Sequence, residues 1–440
     1  MLPRKPISKA TAWIAVAGTL GAIVLANVLR SREGREGETA IAPATSPAPD
    51  ERIALAQWGS GLPQSGQWRN GFDVIDFDGD GELDIVHGPA RKSRDRTPQI
   101  FVGNGEGSFT PKRYAFPSVP FDYGDVAVAD YDGDGELDIA LASHLLGLHV
   151  LVRRGEAFVP YGDAPPALAN FSSRAIEAVD YNADGRMDLI ASSDGPRPFE
   201  ALGDSPPSRR GIVVLIGIDG GFEPLLPVGD ATGYGDSLAI GELDRTPGLE
   251  IVVASNVVGS TNLLYRTTDT GLTLGALPGA PQNRVVRVVA LAQGRSGTSV
   301  VLGGLAQGAR GLEGSLDLVD PNGTATRLLR GEPMRAISGI ASGDIDGDGE
   351  LDLIAGDEHG RLHRYEADGG SFTARETIEP ASELAGCSVY GVSFANLDRH
   401  VGDEVVVSYA GDDGACTSSG GLVVYRLTKL GSQRSKPGNM

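Results

Sequence analysis

One acidic phrase, set between two apolar runs, returns seven times along this chain at intervals near fifty residues. Its clearest copies read DFDGDGELDIV from Asp76, DYDGDGELDIA from Asp130, DYNADGRMDLI from Asp180 and DIDGDGELDLI from Asp344. Weaker copies begin at Glu242 (ELDRTPGLEIV) and Asn396 (NLDRHVGDEVV), and an acid-free copy lies near Leu291 (LAQGRSGTSVV). Start-to-start spacings of 54, 50, 62, 49, 53 and 52 residues keep the acid-free copy in series. A unit of this length cannot bury its apolar face alone, so such units must stack on one another around a shared core.

Within each copy a first apolar run, such as Val126 and Val128, leads straight into the acidic loop. A second follows it: Ile85 and Val86, Leu189 and Ile190, Val405 and Val406. Aliphatic and β-branched pairs between turn residues favour strands over helices. Two further runs complete most copies, at residues 99–102 and 108–112 in the first. Four short strands per unit and seven units predict an all-β fold, a seven-bladed β-propeller over residues 51–428. The last copy has no fourth strand after residues 423–427, and an unassigned run at residues 53–56 precedes the first. Pairing those two segments would close the ring.

Upstream, Arg4, Lys5 and Lys9 precede an uncharged stretch at residues 10–29, long enough to cross a bilayer as a helix. Residues 1–30 read as a transmembrane signal anchor or a cleavable signal peptide, with Val24 and Ala26 offering a cleavage site. Residues 31–50, rich in Glu, Ala, Pro and Ser, read as a flexible linker, and residues 429–440 as a C-terminal tail. The expectation is an exported protein, either secreted or membrane-anchored and facing the periplasm or cell exterior.

The formal net charge is −20. Carboxylates at positions 1, 3, 5 and 9 of the acidic loops account for that whole excess, fifteen in the four strong loops and five in the two weak ones. The acidity is local, and nucleic acid is not an expected partner. A hard cation takes six to eight oxygens, which alternate side chains of a curled loop can supply. The expected sets are Asp76, Asp78, Asp80 and Asp84; Asp130, Asp132, Asp134 and Asp138; Asp180, Asn182, Asp184 and Asp188; and Asp344, Asp346, Asp348 and Asp352. Residue seven of each loop (Glu82, Glu136, Arg186, Glu350) would add its carbonyl. Weaker sets are Glu242, Asp244 and Glu250, and Asn396, Asp398 and Glu404, where Thr246 and His400 replace the acid at position five. The strong loops hold no His or Cys, which disfavours zinc, and the ligand number disfavours magnesium. About four calcium ions, chiefly structural, are expected.

The phrase DxDGDGxxD between two apolar runs, repeated every fifty residues over roughly residues 55–428, resembles the FG-GAP or VCBS repeat family. Its members are similar to the seven-bladed propeller of integrin α-subunits. The resemblance implies calcium in the loops, ligands on the opposite face, and a binding or adhesion module for protein or glycan. The fifth copy departs from the acidic pattern entirely, the fourth and seventh at position five. EF-hands and dockerins share the acidic phrase but flank it with helices, whereas the flanks here are strands.

The face opposite the acidic loops should carry the insertions: the basic loop Arg91, Lys92, Arg94 and Arg96, a proline-rich stretch at residues 194–210 and a glycine-rich stretch at residues 303–314. An aromatic or arginine recurs just before the inner strands: Trp68 and Arg69, Tyr123, Arg174, Tyr234, Arg284, Arg335 and Tyr390. These side chains are expected to ring the channel mouth and to meet a sugar or an acidic peptide. Cys387 and Cys416 fall on the same face and are expected to form a disulfide in an exported chain. No nucleophile elbow, phosphate loop or metalloprotease helix is present in the sequence. The enzymatic alternative is a polysaccharide lyase using Tyr123 with arginines.

Overall fold

In the computed structural model the paired apolar residues after each acidic loop find their explanation in neighbouring blades. Residues 52–430 are described, apart from 119–120, 163–167, 169–170, 197–209, 229–232, 245, 283, 295–296, 309–310, 334, 369–370 and 412–414. Their strands form seven four-stranded antiparallel sheets, each of consecutive strands except the last. Blade one runs β2 (Phe72–Ile75), β3 (Asp84–His87), β4 (Gln99–Gly103) and β5 (Phe109–Lys112). Every apolar cluster of any size draws on two adjacent blades. Ile85 packs toward Val406 and Val424 of blade seven, while Val86 packs toward Val126 and Ile139 of blade two. Leu189 and Ile190 likewise face opposite ways, as do Leu353 and Ile354. A second strand covered on both sides needs a continuous apolar run, not an alternating one.

The ring is closed by β1 (Arg52–Trp58), which pairs antiparallel with β28 (Gly420–Leu430) over seven residues, from Arg52 with Leu430 to Trp58 with Val424. The N-terminal strand thus supplies the fourth strand that the last repeat lacks. All-β architecture and seven blades are as the repeat predicts. The expected N-terminal membrane or signal helix and the linker lie outside the described residues, among which no helix is long and apolar enough to cross a membrane.

Side chains stitch each blade to the next near the channel. Asp73 accepts the Val128 N–H (2.5 Å) and Asp125 the Ile176 N–H (3.2 Å). Hydroxyls make the other links: Ser192 to Gly235, Ser237 with Val289, Ser342 to Leu291, Ser338 to Val389 and Ser408 to Asn70. The glycine-rich stretch expected as a loop is mostly strand, β19 (Gly297–Gly308) and β20 (Gly311–Val319). Its glycines serve packing, since a Cβ on Gly303 would lie 2.7 Å from both Ile340 Cδ1 and Val288 Cγ1.

Candidate metal loops and the channel mouth

The acidic loops are curled by their own carboxylates. In the first, Asp76 accepts N–H bonds from Gly79 (2.9 Å) and Gly81 (3.0 Å), and Asp80 accepts one from Glu82 (2.8 Å). Gly79 and Gly81 adopt φ of 80° and 90°, a left-handed conformation that glycine takes without strain. The second loop repeats the bonds through Asp130 with Gly133 and Gly135, the sixth through Asp344 with Gly347 and Gly349. In the third, Asp180 accepts from Asp184 and Gly185, and Ala183 is forced to φ 58°.

Position nine has a second role that its spacing does not reveal. Asp84 is buried and accepts the N–H groups of Phe77 (2.9 Å) and Gly103 (2.8 Å), tying the loop to the third strand. Asp138 bonds Tyr131 and Arg153 in the same way, and Asp188 bonds Tyr181 and Gly217. Asp352 accepts the Ala367 N–H, while Glu250 and Glu404 hold Leu243 and Leu397. Burial pushes the Asp84 and Asp138 carboxyls up to about 6 and that of Asp352 up to about 7.

Three loops bring carboxylate oxygens within 4.8 Å of one another: Asp76, Asp78 and Asp84; Asp130, Asp132 and Asp138; Asp344, Asp346 and Asp348. These clusters can hold a metal ion, and carboxylates so close resist ionisation unless a counter-charge joins them. Two buried oxygens in these loops, Asp78 Oδ1 and Asp352 Oδ2, accept no hydrogen bond, as a cation-directed oxygen would not. The donors are all oxygen, which suits a hard cation. Asp80, Asp134 and Asp352 stand outside the three groups, and the third loop forms none among the described residues. There Asn182 donates its amide to Asp184 (3.0 Å). The side chains of Glu82, Glu136 and Arg186 turn outward to Arg399 (2.6 Å), Arg153 (3.1 Å) and Asp219 (2.5 Å), leaving position seven only its carbonyl to offer. Glu350 donates its N–H to Asp348 (2.8 Å). Of the weak sets, Glu242 lines the central channel, away from Asp244 and Glu250, which meet Arg266. Asn396 bonds backbone carbonyls of its own loop, and Asp398 meets Arg426.

On the opposite face the inner strands carry a repeated irregularity. The register of β10 (Ser173–Val179) slips between Ser173 and Ala175, and that of β18 (Arg284–Gly294) between Val286 and Val288. In β22 (Ile337–Gly343) it slips between Ile337 and Gly339, and in β26 (Ser388–Ala395) between Val389 and Gly391. The extra residues are Arg174, Arg287, Ser338 and Tyr390, and all four line the central channel, whose volume is about 1710 Å³. A bulge of this kind re-aims one side chain without disturbing the rest of the strand. Arg69 joins the same lining with its guanidinium 5.1 Å from the Tyr390 ring, as do Asn70, Asp236 and Asn256. Asn70 is buried, sits at φ 72°, and leaves its Oδ1 without a donor. Arg174 reaches Asp194 (3.3 Å) and Asp236 (2.9 Å), and Arg287 donates to Asn256 (3.3 Å).

Only part of the expected aromatic and arginine ring reaches the mouth. Trp68 is core: it is buried edge-on to His87 and Phe101, with its indole N–H on the Ser65 carbonyl (2.9 Å). Tyr123 is buried beneath Arg91 and beside His144, which bonds Asp194 at 2.6 Å. Tyr234 packs against Gly195 under Arg210. Arg335 is exposed and stands apart from the channel lining, and the side chain of Arg284 lies outside the described set. Arg287, Asn256, Asp236 and Asn70 carry no local signal in the sequence that would mark them as channel lining. A bulge depends on partner register, which a single strand does not display. Deeper in the channel lie Asp73, Asp125 and Glu177. Burial pushes Asp73 up to about 6 and Asp125 to about 8, while Glu177 stays solvent-exposed within the channel. Cys387 and Cys416 are joined in a disulfide, with Cα atoms 4.4 Å apart, across the connection into blade seven.

Residues 76–141 match the model of the FG-GAP-like repeat. No curated protein sequence matches the chain. Among solved structures it is similar to that titled BBS1N in complex with ARL6DN, soaked with mercury, at 14% identity and a TM-score of 0.51, covering 85% of this chain and 95% of that one. A lead-soaked structure of the same complex gives 15% identity and a TM-score of 0.48, covering 86% and 98%. The Dos1 propeller gives 12% and 0.47, covering 84% and 95%. At these identities the likeness concerns the fold alone, a propeller scaffold.

Proposed function

We propose that this chain is an exported binding module, held rigid by calcium in its acidic loops, which takes a carboxylate-bearing protein or glycan ligand at the channel mouth. The observation that carries the ligand site is the shared bulge, which turns Arg174, Arg287, Ser338 and Tyr390 into one opening from four different blades. With Arg69 the lining brings three guanidinium groups to the mouth, and guanidinium is the side chain best shaped to clasp a carboxylate. Asn70 Oδ1 offers an acceptor still without a donor. Calcium in place of another hard cation is supported by the number of converging oxygens and the glycine-permitted curl of each loop. Export is supported by the apolar segment at residues 10–29 and by the disulfide.

The test is retention of acidic peptides and uronate-bearing glycans on an array. The Arg174→Ala/Arg287→Ala variant should lose at least tenfold in affinity, and unchanged retention would sink the ligand site. A second reading, a polysaccharide-active enzyme, draws on the His144–Asp194 pair beside Tyr123. It requires release of shortened products from an acidic glycan, and retention without turnover decides for the binding module.

A further inference from the structure

We infer that in blades four and seven the chain's own guanidinium groups, Arg266 and Arg426, stand where the other acidic loops take a cation, so that these two loops bind no metal. The inference rests on the calcium reading of the remaining loops. It starts from strand register. The residue after the ninth position of each loop pairs across the sheet with Phe101, Leu151, Leu215, Tyr265, Tyr365 or Tyr425 in blades one, two, three, four, six and seven. One residue further on, opposite position nine itself, stand Val102, Val152, Ile216, Arg266, Glu366 and Arg426. Among these six loops arginine occurs at this place only in the two that have lost the acid at position five.

Arg266 meets two of its loop's carboxylates and Arg426 one. Arg266 Nη2 lies 2.7 Å from Asp244 and its Nε 3.6 Å from Glu250, so it straddles positions three and nine. The hydroxyl of Thr246, at the vacated fifth position, lies 2.5 and 3.0 Å from the same two carboxylates and shares its one proton between them. Arg426 Nη1 lies 2.8 Å from the buried Asp398 carboxylate, and its guanidinium is 5.0 Å from the centre of the Trp58 ring. In that loop the Asn396 amide donates to the carbonyls of His400 (2.6 Å) and Gly402 (2.9 Å). Gly402 occupies position seven, so the carbonyl expected to face a metal is already engaged.

Proximity of an arginine is not the criterion. Arg154 also meets the second loop, at Asp132 and Asp134, but it comes from the half-exposed end of β8 (Gly147–Arg154). Asp130, Asp132 and Asp138 keep their convergence there. The placement in blade seven has a consequence for closure. Asp403 of its loop accepts the Asp344 N–H (3.1 Å) of the sixth loop, and Arg399 pairs with Glu82 (2.6 Å) of the first. The loop that bridges two metal-competent neighbours beside the β1–β28 seam is therefore closed without metal.

Calcium bound per full-length chain, measured by equilibrium dialysis, tests this. Asp244→Asn and Asp398→Asn should each leave the number of ions unchanged, and Thr246→Asp/Arg266→Val should gain one. Loss of one ion in either Asn variant overturns the inference, as does a folded double variant that gains none. Should the double variant fail to fold, the two Asn variants still decide. If the wild type binds no calcium, the calcium reading fails separately, and a double-mutant cycle of Arg426→Met with Asp398→Asn in EDTA judges the arginine. Melting-temperature losses smaller together than their sum support closure by the guanidinium, and strictly additive losses overturn it.

Discussion

In blade two the first two strands, β6 (Val126–Ala129) and β7 (Asp138–Ser143), are joined across an acidic loop, and four register pairs connect them. In blade five the corresponding β18 and β19 run for eleven and twelve residues, and their ladder extends to Gly294 opposite Gly297. The acid-free copy thus fills with backbone ladder the place that the acidic copy fills with carboxylates. A loop N–H must find an acceptor either way. In blade two Asp130 and Asp138 provide it and bring negative charge that needs a counter-ion, whereas blade five pairs strand with strand and brings no carboxylate. The comparison teaches that the acids support the blade without defining it, since the blade survives where they are gone.

The largest effect expected from this contrast is that of chelation. At ten times the dissociation constant a bound calcium ion would contribute about 1.4 kcal/mol, so the three clusters together would contribute roughly 4 kcal/mol. In EDTA the melting temperature should fall, and amide exchange should quicken in the loops at residues 76–84, 130–138 and 344–352 while β18 and β19 stay protected. Equal loss of protection in blade five would break the contrast. Removing the disulfide by Cys387→Ala/Cys416→Ala should cost roughly 3–4 kcal/mol for its thirty-residue loop. Denaturant melts should give the same loss with or without calcium, because that staple lies on the face away from the acidic loops.

Single substitutions sharpen the comparison further. Asp138→Ala strands the N–H groups of Tyr131 and Arg153 and should cost about 1–3 kcal/mol, while Gln293→Ala at the exposed hairpin of blade five removes only the acceptor of the Thr298 hydroxyl and should cost no more than about 1 kcal/mol. Urea unfolding of the two variants checks both figures. A pH-dependent effect concerns the channel, where burial holds Asp125 near 8. A carboxyl whose folded pKa is raised contributes stability that is complete below its unfolded value near 4 and lost as pH rises through 8. Asp125→Asn should therefore flatten the decline in melting temperature between pH 5 and pH 8.5, and a parallel decline in both proteins would refute the assignment.

The scaffold was legible because its signals are local and periodic. Apolar pairs such as Ile85 with Val86 announce a strand covered on both faces, and seven recurrences count the blades. The candidate metal loops were legible in part. Alternate aspartates and glycines predicted the curl, yet not that Asp84 and Asp138 spend lone pairs on backbone N–H groups, nor that the third loop gathers no three-acid cluster. The channel mouth was the least legible. Trp68 and Tyr123 precede their strands at the expected distance but are buried, whereas Arg287 carries no signal in the sequence because its prominence comes from a bulge.

What the sequence determined by itself is whatever depends on neighbours along the chain: strands, turns, the repeat count and the acids within one loop. The tertiary structure decided which charges meet. Arg266 lies sixteen residues after Glu250, and Arg426 twenty-two after Glu404, yet each stands opposite that acid across one pair of strands. Intervening loops of different length hide that common register from any fixed spacing. The arginines of the mouth share one channel only when blades one, three and five are set around it, since closing the ring is what makes distant residues neighbours.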